Sequence, residues 1–182
     1  GDLVEARRYW KIISNYPVDS EMEEGQLSTF HYPGESSFSV LNGLGSIAHH
    51  RGESYSAEGL FSEAIKTAIE INDEFAESIA INNLAITVRR LGRLDEAGEL
   101  HKRSLEKIKA SEVVLGDDYG NQEKLLESDI LRGMALVEED LGNISMAESL
   151  IGEALDIQRR VGDRYREAGS LVNLGNLSKR GG

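Results

Sequence analysis

Three stretches of the chain place apolar residues on the same schedule. LNGLGSIAHHRGESYSAEGLFSEAIK from Leu41, INNLAITVRRLGRLDEAGELHKRSLE from Ile81 and LRGMALVEEDLGNISMAESLIGEALD from Leu131 superpose without gaps. Each opens on an apolar residue (Leu41, Ile81, Leu131). Another follows three positions on (Leu44, Leu84, Met134), and then a small one (Gly45, Ala85, Ala135). Seven residues later stands a glycine (Gly52, Gly92, Gly142), and five beyond it an alanine (Ala57, Ala97, Ala147). A bulkier residue (Phe61, His101, Ile151) and a small one (Ala64, Ser104, Ala154) complete the set. Steps of three and four put such positions on one face of a helix. The pattern predicts two helices per stretch, with the glycine as the sharp turn between them. The small residues fall where the helices must approach closely. Asn143 is expected to cap the helix after its glycine.

Two half-units flank the three. GDLVEARRYWKII has Gly1, Ala6 and Trp10 in the places of a second helix, and SLVNLGNLSKRGG has Leu171, Leu174, Gly175 and Gly182 in the places of a first. The turn glycines fall at 1, 52, 92, 142 and 182, so two connections carry about ten extra residues. The first, Asn15 to Ser37, holds both prolines and five acidic residues (Asp19, Glu21, Glu23, Glu24, Glu35) without a Lys or Arg. It reads as a solvated connection, with a flap over a binding groove or a partner-binding loop as the functional alternative. The second, Glu112 to Glu123, has Gly116 and Gly120 as stop signals between longer helices.

The LG…G…A…A signature at Leu44-Gly45, Gly52, Ala57 and Ala64 resembles the tetratricopeptide repeat. The resemblance covers nearly the whole chain, although the 40-residue step exceeds the usual roughly 34. It is similar to the long-helix variety of kinesin light chains and of the sensor regions of bacterial signalling ATPases and regulators. His101 for an aromatic, Ser104 for Ala and Met134-Ala135 for Leu-Gly depart from the pattern. The resemblance implies an all-α, right-handed superhelical solenoid of antiparallel hairpins. The expected division is a half repeat at 1–16, the acidic connection at 17–35, full repeats at about 36–72, 73–115 and 121–162, and a half repeat at 163–182. It also implies that first helices line a concave groove, and that Asn83 and Asn173 hold the backbone of a bound peptide.

By register, the groove candidates are Asn42, His49, Asn82, Asn83, Arg89, Arg132, Asn173, Asn176 and Lys179. An amide both donates and accepts, which suits a peptide backbone. Arg89, Arg132 and Lys179 would favour an acidic peptide or a C-terminal carboxylate. Asp129 and Glu139 share that face and offset the charge, and the alternative is that the arginines pair with them while the asparagines bridge helices.

Composition narrows the reading further. Net charge is -12, which argues against a nucleic-acid binder. No cysteine is present, excluding disulfides, thiolate zinc sites and a cysteine nucleophile. No apolar run has membrane-spanning length. His49 and His50 are adjacent and point about 100° apart on a helix, so they do not share a metal. Gly43-x-Gly45 lies in a helix and follows no strand, so it is no dinucleotide fingerprint. No Ser–His–Asp signature occurs. The expectation is a non-enzymatic protein- or peptide-binding scaffold or sensor module without cofactor, cytoplasmic, and part of a larger bacterial regulator. Export stays open, because the chain starts on Gly1 and a leader segment is removable. The alternatives are a structural module joining head to tail through its half repeats, or an accessory domain of a catalytic protein.

Overall fold

The computed structural model describes residues 34–115 and 120–181, with side chains over 37–110 and 120–180. The half repeat expected over 1–16, the acidic connection up to residue 33, Gly116 and Gly182 lie outside the described residues. Seven helices run in order among the described residues, with no strand between them. They are α1 (Gly34–His50), α2 (Ser54–Glu70), α3 (Glu74–Arg90), α4 (Leu94–Leu115), α5 (Asn121–Asp140), α6 (Ile144–Val161) and α7 (Arg164–Gly181).

The ends of α1, α2, α3, α5 and α6 are cut by the same device. Gly52, Gly92, Gly142 and Gly162 all have φ between 80° and 84°, and Asn72 has φ 55°. At Gly52 the amide donates to the His49 carbonyl, and the next amide, of Glu53, reaches back to the Ala48 carbonyl. The same pair of bonds recurs at Asn72, Gly92, Gly142 and Gly162. This is the Schellman turn, which satisfies carbonyls left over at a helix end and needs a left-handed residue. Gly52, Asn72 and Gly92 stand twenty residues apart, as do Gly142 and Gly162. The unit of the chain is therefore one helix and one turn, and two such units make a hairpin.

The turns between hairpins differ from those within them. After Asn72 and Gly162, Asp73 and Asp163 accept from the amides of Ala76 and Arg166 and cap α3 and α7. Asn143 occupies the corresponding place before α6 but does not cap it. Its amide donates instead to the Glu138 carboxylate at 2.8 Å.

Helices stack because their small residues let them. In the first hairpin Leu41, Leu44 and Ala48 of α1 meet Ala57, Phe61 and Ala64 of α2, all fully or nearly buried. A Cβ on Gly45 would lie 2.7 Å from the Phe61 ring, so only glycine admits that ring. Leu131 and Ala135 of α5 pack in the same way on Ala147, Leu150, Ile151 and Ala154 of α6. Each fully buried Leu, Ile or Phe contributes roughly 1.5–3 kcal/mol. Between α4 and α5 the ring is His101, fully buried and seated directly on the Gly133 backbone, and neither of its nitrogens has a partner.

The helices do not stack evenly. Besides sequence neighbours, α1 touches α3 and α3 touches α5, while no comparable contact joins α2 to α4 or α4 to α6 among the described residues. First helices are thus closer together than second helices. The array is a solenoid curved with α1, α3 and α5 on its inner side.

The His101 ring makes the α4–α5 joint sensitive to acid. Burial first, and the Arg89 charge second, lower its pKa from 6.5 to about 4. The folded chain holds a neutral ring, whereas the unfolded chain takes up a proton below about 6.5. Stability is complete above that pH and falls as pH drops toward 4, by up to roughly 3 kcal/mol. Urea denaturation at pH 8 and pH 5 should show a loss of about 2 kcal/mol in the wild type. The loss should be much smaller in His101→Phe, which places on Gly133 the kind of ring that Gly45 accepts. An equal loss in both would show that His101 does not carry it.

Candidate binding face

The inner side is built from polar side chains that reach from one first helix to the next. Asn83 of α3 donates its Nδ2 to Asn42 Oδ1 of α1 at 2.9 Å. Beside it His49 Nδ1 lies 3.1 Å from Thr87 Oγ1. The Thr87 hydroxyl proton is already given to the Asn83 carbonyl, so Nδ1 of His49 carries the hydrogen of this contact. Burial, then Arg90 and the other cations nearby, holds the His49 pKa below its ordinary value. Arg90 also donates to the His49 carbonyl.

From α3 to α5 the rung is ionic, Arg89 to Asp140 at 2.6 Å. From α5 to α7 there are two, Asp129 to Arg166 at 3.1 Å and Glu139 to Arg180 at 2.5 Å. Arg132 pairs within α5 to Asp129, also at 3.1 Å. Asn42, Asn83, Arg89 and Arg132 are therefore internally partnered. Asn82 is only 5% exposed, and its side-chain oxygen is buried without a partner. Asn173 is half-buried, Asn176 and Lys179 are exposed, and Lys179 has no ionic partner among the described residues.

The partners Thr87, Asp140, Arg166 and Arg180 were not singled out by the sequence pattern. Three of the rungs, Asn42–Asn83, His49–Arg90 and Glu139–Arg180, span 41 residues. That is one residue beyond the spacing of the turn glycines. A search for complementary side chains at that interval finds them. The Arg89–Asp140 rung spans 51, because the longer connection between α4 and α5 intervenes.

Among the described residues no group of three or more His, Asp or Glu is placed to hold a metal ion. None of their helices is long and apolar enough to cross a membrane. What the face offers chemically is hydrogen bonding. The Asn42–Asn83 bond uses one donor and one acceptor, leaving Asn42 Nδ2 and Asn83 Oδ1 for another group. The exposed pairs are exchangeable, since such ion pairs contribute about 0–1 kcal/mol.

These features define an all-α helical-repeat solenoid. Residues 36–110 match the family model of the tetratricopeptide repeat. The chain is similar to BtubC (BKLC) from P. vanneervenii, whose crystal structure superposes with a TM-score of 0.66 at 15% sequence identity. The match covers 98% of this chain and 66% of that one, so the chain spans a little under two thirds of BtubC's length. At that identity the likeness is one of fold. No curated protein matches the sequence. The family and the helical-repeat fold are those that the LG…G…A…A signature implied. Tetratricopeptide repeats in general mediate protein–protein interaction and typically serve as non-catalytic scaffolds.

A double-mutant cycle over Asn42→Ala and Asn83→Ala tests the first rung. The coupling should be about 0.5–1.5 kcal/mol by urea denaturation, the value of a hydrogen bond. Strict additivity would mean that the two amides do not meet in solution.

Proposed function

We propose that the chain is a non-enzymatic protein- or peptide-binding module, holding an extended segment along the face of α1, α3, α5 and α7. The observation that carries this reading is the Asn42–Asn83 pair. It presents one free donor and one free acceptor on adjacent helices, the complement of a peptide group. An acidic segment or a C-terminal carboxylate is the favoured ligand. Lys179 stands unpaired beside Asn176 on α7, and a ligand carboxylate entering at Arg89 replaces Asp140, itself 40% exposed, at little cost. The resemblance to long-helix repeats of bacterial signalling proteins supports placing the module in a larger cytoplasmic regulator.

The test is capture of a partner by the wild type and by Asn83→Ala/Arg89→Glu, after circular dichroism shows equal helicity. The variant should lose a protein that the wild type retains. Retention by both would remove the inner face as the binding surface.

One observation favours self-association as a second reading. Leu41, Ile81 and Leu131, the opening residues of three first helices, are at most 2% exposed, whereas the equivalent Leu171 of α7 is 44% exposed. What covers the first three is a second helix with Gly, Ala and a bulky residue in register. Segment 1–13 has that order at Gly1, Ala6 and Trp10. A second copy supplying it would cover Leu171. Sedimentation equilibrium should then show concentration-dependent association that Leu171→Glu abolishes and Asn83→Ala leaves intact. A monomer at every concentration would refute it.

A further inference from the structure

The edge of the solenoid that carries the turns at Gly92 and Gly142 is open as well. Between the start of α4 and the end of α5 lies a groove of about 300 Å³, with Leu94, Met134, Val137 and Leu141 in its lining. At Glu138 it continues into a cleft of about 850 Å³ over the start of α6, where Met146 stands. Leu141 and Met146 are 45% and 55% exposed, so this strip leaves neighbouring apolar side chains in water. Gly98 hollows the α4 wall. A Cβ there would meet only Val137 Cγ1, at an ordinary 3.9 Å. Unlike Gly45 and Gly133, it is not required by a ring packed against it.

The charge around this strip differs from that of the inner face. On the inner face Asp129, Glu139 and Asp140 are each matched by an arginine. Along the groove Asp95 and Glu99 stand on the α4 wall, and Glu138 on the opposite wall. Glu148 lines the adjoining cleft. The bonds shown for Glu138 and Glu148 come from the Asn143 amide and the Ser178 hydroxyl, and none of the four carboxylates has a cationic partner among the described residues. Lys102 lines the groove beside Glu99 and is the cation that a ligand must tolerate.

We propose that this edge is a docking surface for a cationic amphipathic helix of a partner protein. An apolar floor with carboxylates on both walls complements a helix whose apolar stripe is flanked by Lys and Arg on either side. The stripe enters the groove at Gly98 and Val137, and the flanking cations meet Glu99 on one wall and Glu138 on the other. Charge sets the preference, since an acidic helix meets four unneutralised carboxylates. The surface shares no residue with the Asn42–Asn83 face, so each can fail without the other.

The probe is a fluorescein-labelled helical Leu/Lys peptide, followed by anisotropy, with a Leu/Glu peptide of the same length as its charge-reversed counterpart. Gly98→Phe fills the groove, and Glu99→Lys/Glu138→Lys reverses its rim. Glu153→Lys/Asp156→Lys makes the same change of net charge on exposed positions of α6 outside the groove. The Leu/Lys peptide should bind the wild type and the α6 variant within twofold of each other. It should bind each groove variant at least tenfold more weakly, and the Leu/Glu peptide should not bind. Where Gly98→Phe lowers helicity, the charge-reversed rim decides alone. Equal weakening by both charge-reversal pairs would overturn the proposal, because attraction to the net charge of -12 would then suffice. Equal binding of the two peptides would overturn it too.

Discussion

The fold depends on one backbone constraint: a residue held in the left-handed region, at 52, 72 and 92 and again at 142 and 162, which stops a helix and reverses the chain. A helix that ran on past Gly52 would carry Ala57 and Phe61 away from Leu41. The two apolar faces would then never close on each other. Because the turn is always the same, each hairpin emerges with the same geometry and the next one stacks on it. Nearest-neighbour packing then suffices to build the array, as solenoids require. The core residues are interchangeable within limits: Phe61, His101 and Ile151 share one place in the pattern. The turn conformation recurs at five junctions among the described residues, those at Gly52, Asn72, Gly92, Gly142 and Gly162.

Much of this was legible in the sequence, for a physical reason. The glycines at 52, 92 and 142 recur with their apolar neighbours in phase, and phase is what a linear reading detects. Asn72 and Gly162 make the same turn and went unread. The first is not glycine, and the second follows a helix whose apolar pattern runs into it unbroken. Asparagine reaches the left-handed region at small cost, so a search for glycine alone misses the turn at Asn72. The close approach within the last full hairpin lies at Ala135, as the pattern expects. A second position that cannot carry a side chain, Gly133, faces a ring from the preceding helix. That contact lies between hairpins, where the repeat pattern says nothing.

The candidate face was legible by position but not by pairing. Counting along α3 places Asn82 and Asn83 together. Yet a step of one residue turns the side chain by about 100°, enough to put the first inside the packing and leave the second on the face. Arg89 was expected either to remain available or to pair with Asp129 or Glu139. It pairs with Asp140 instead, and those two acids are held by Arg166 and Arg180 from α7. Pairing across helices depends on how far one rod slides along the next, which no property of a single helix determines. The result is a molecule with two kinds of acidic surface. On the inner side carboxylates are neutralised by the fold itself. At the edge beside Gly98 they are not.

The rungs between first helices have a mechanical consequence. Tight turns and apolar contacts hold each helix to the next in sequence, and these are insensitive to ions. The link from α3 to α5 and from α5 to α7 on the inner side is made by partly exposed carboxylate–guanidinium pairs, which dissolved salt screens over about 8 Å at physiological strength. The array therefore behaves as a spring with two elements in parallel, one stiff and one ionic. Rising ionic strength weakens the ionic element and leaves the turns and apolar contacts as they are.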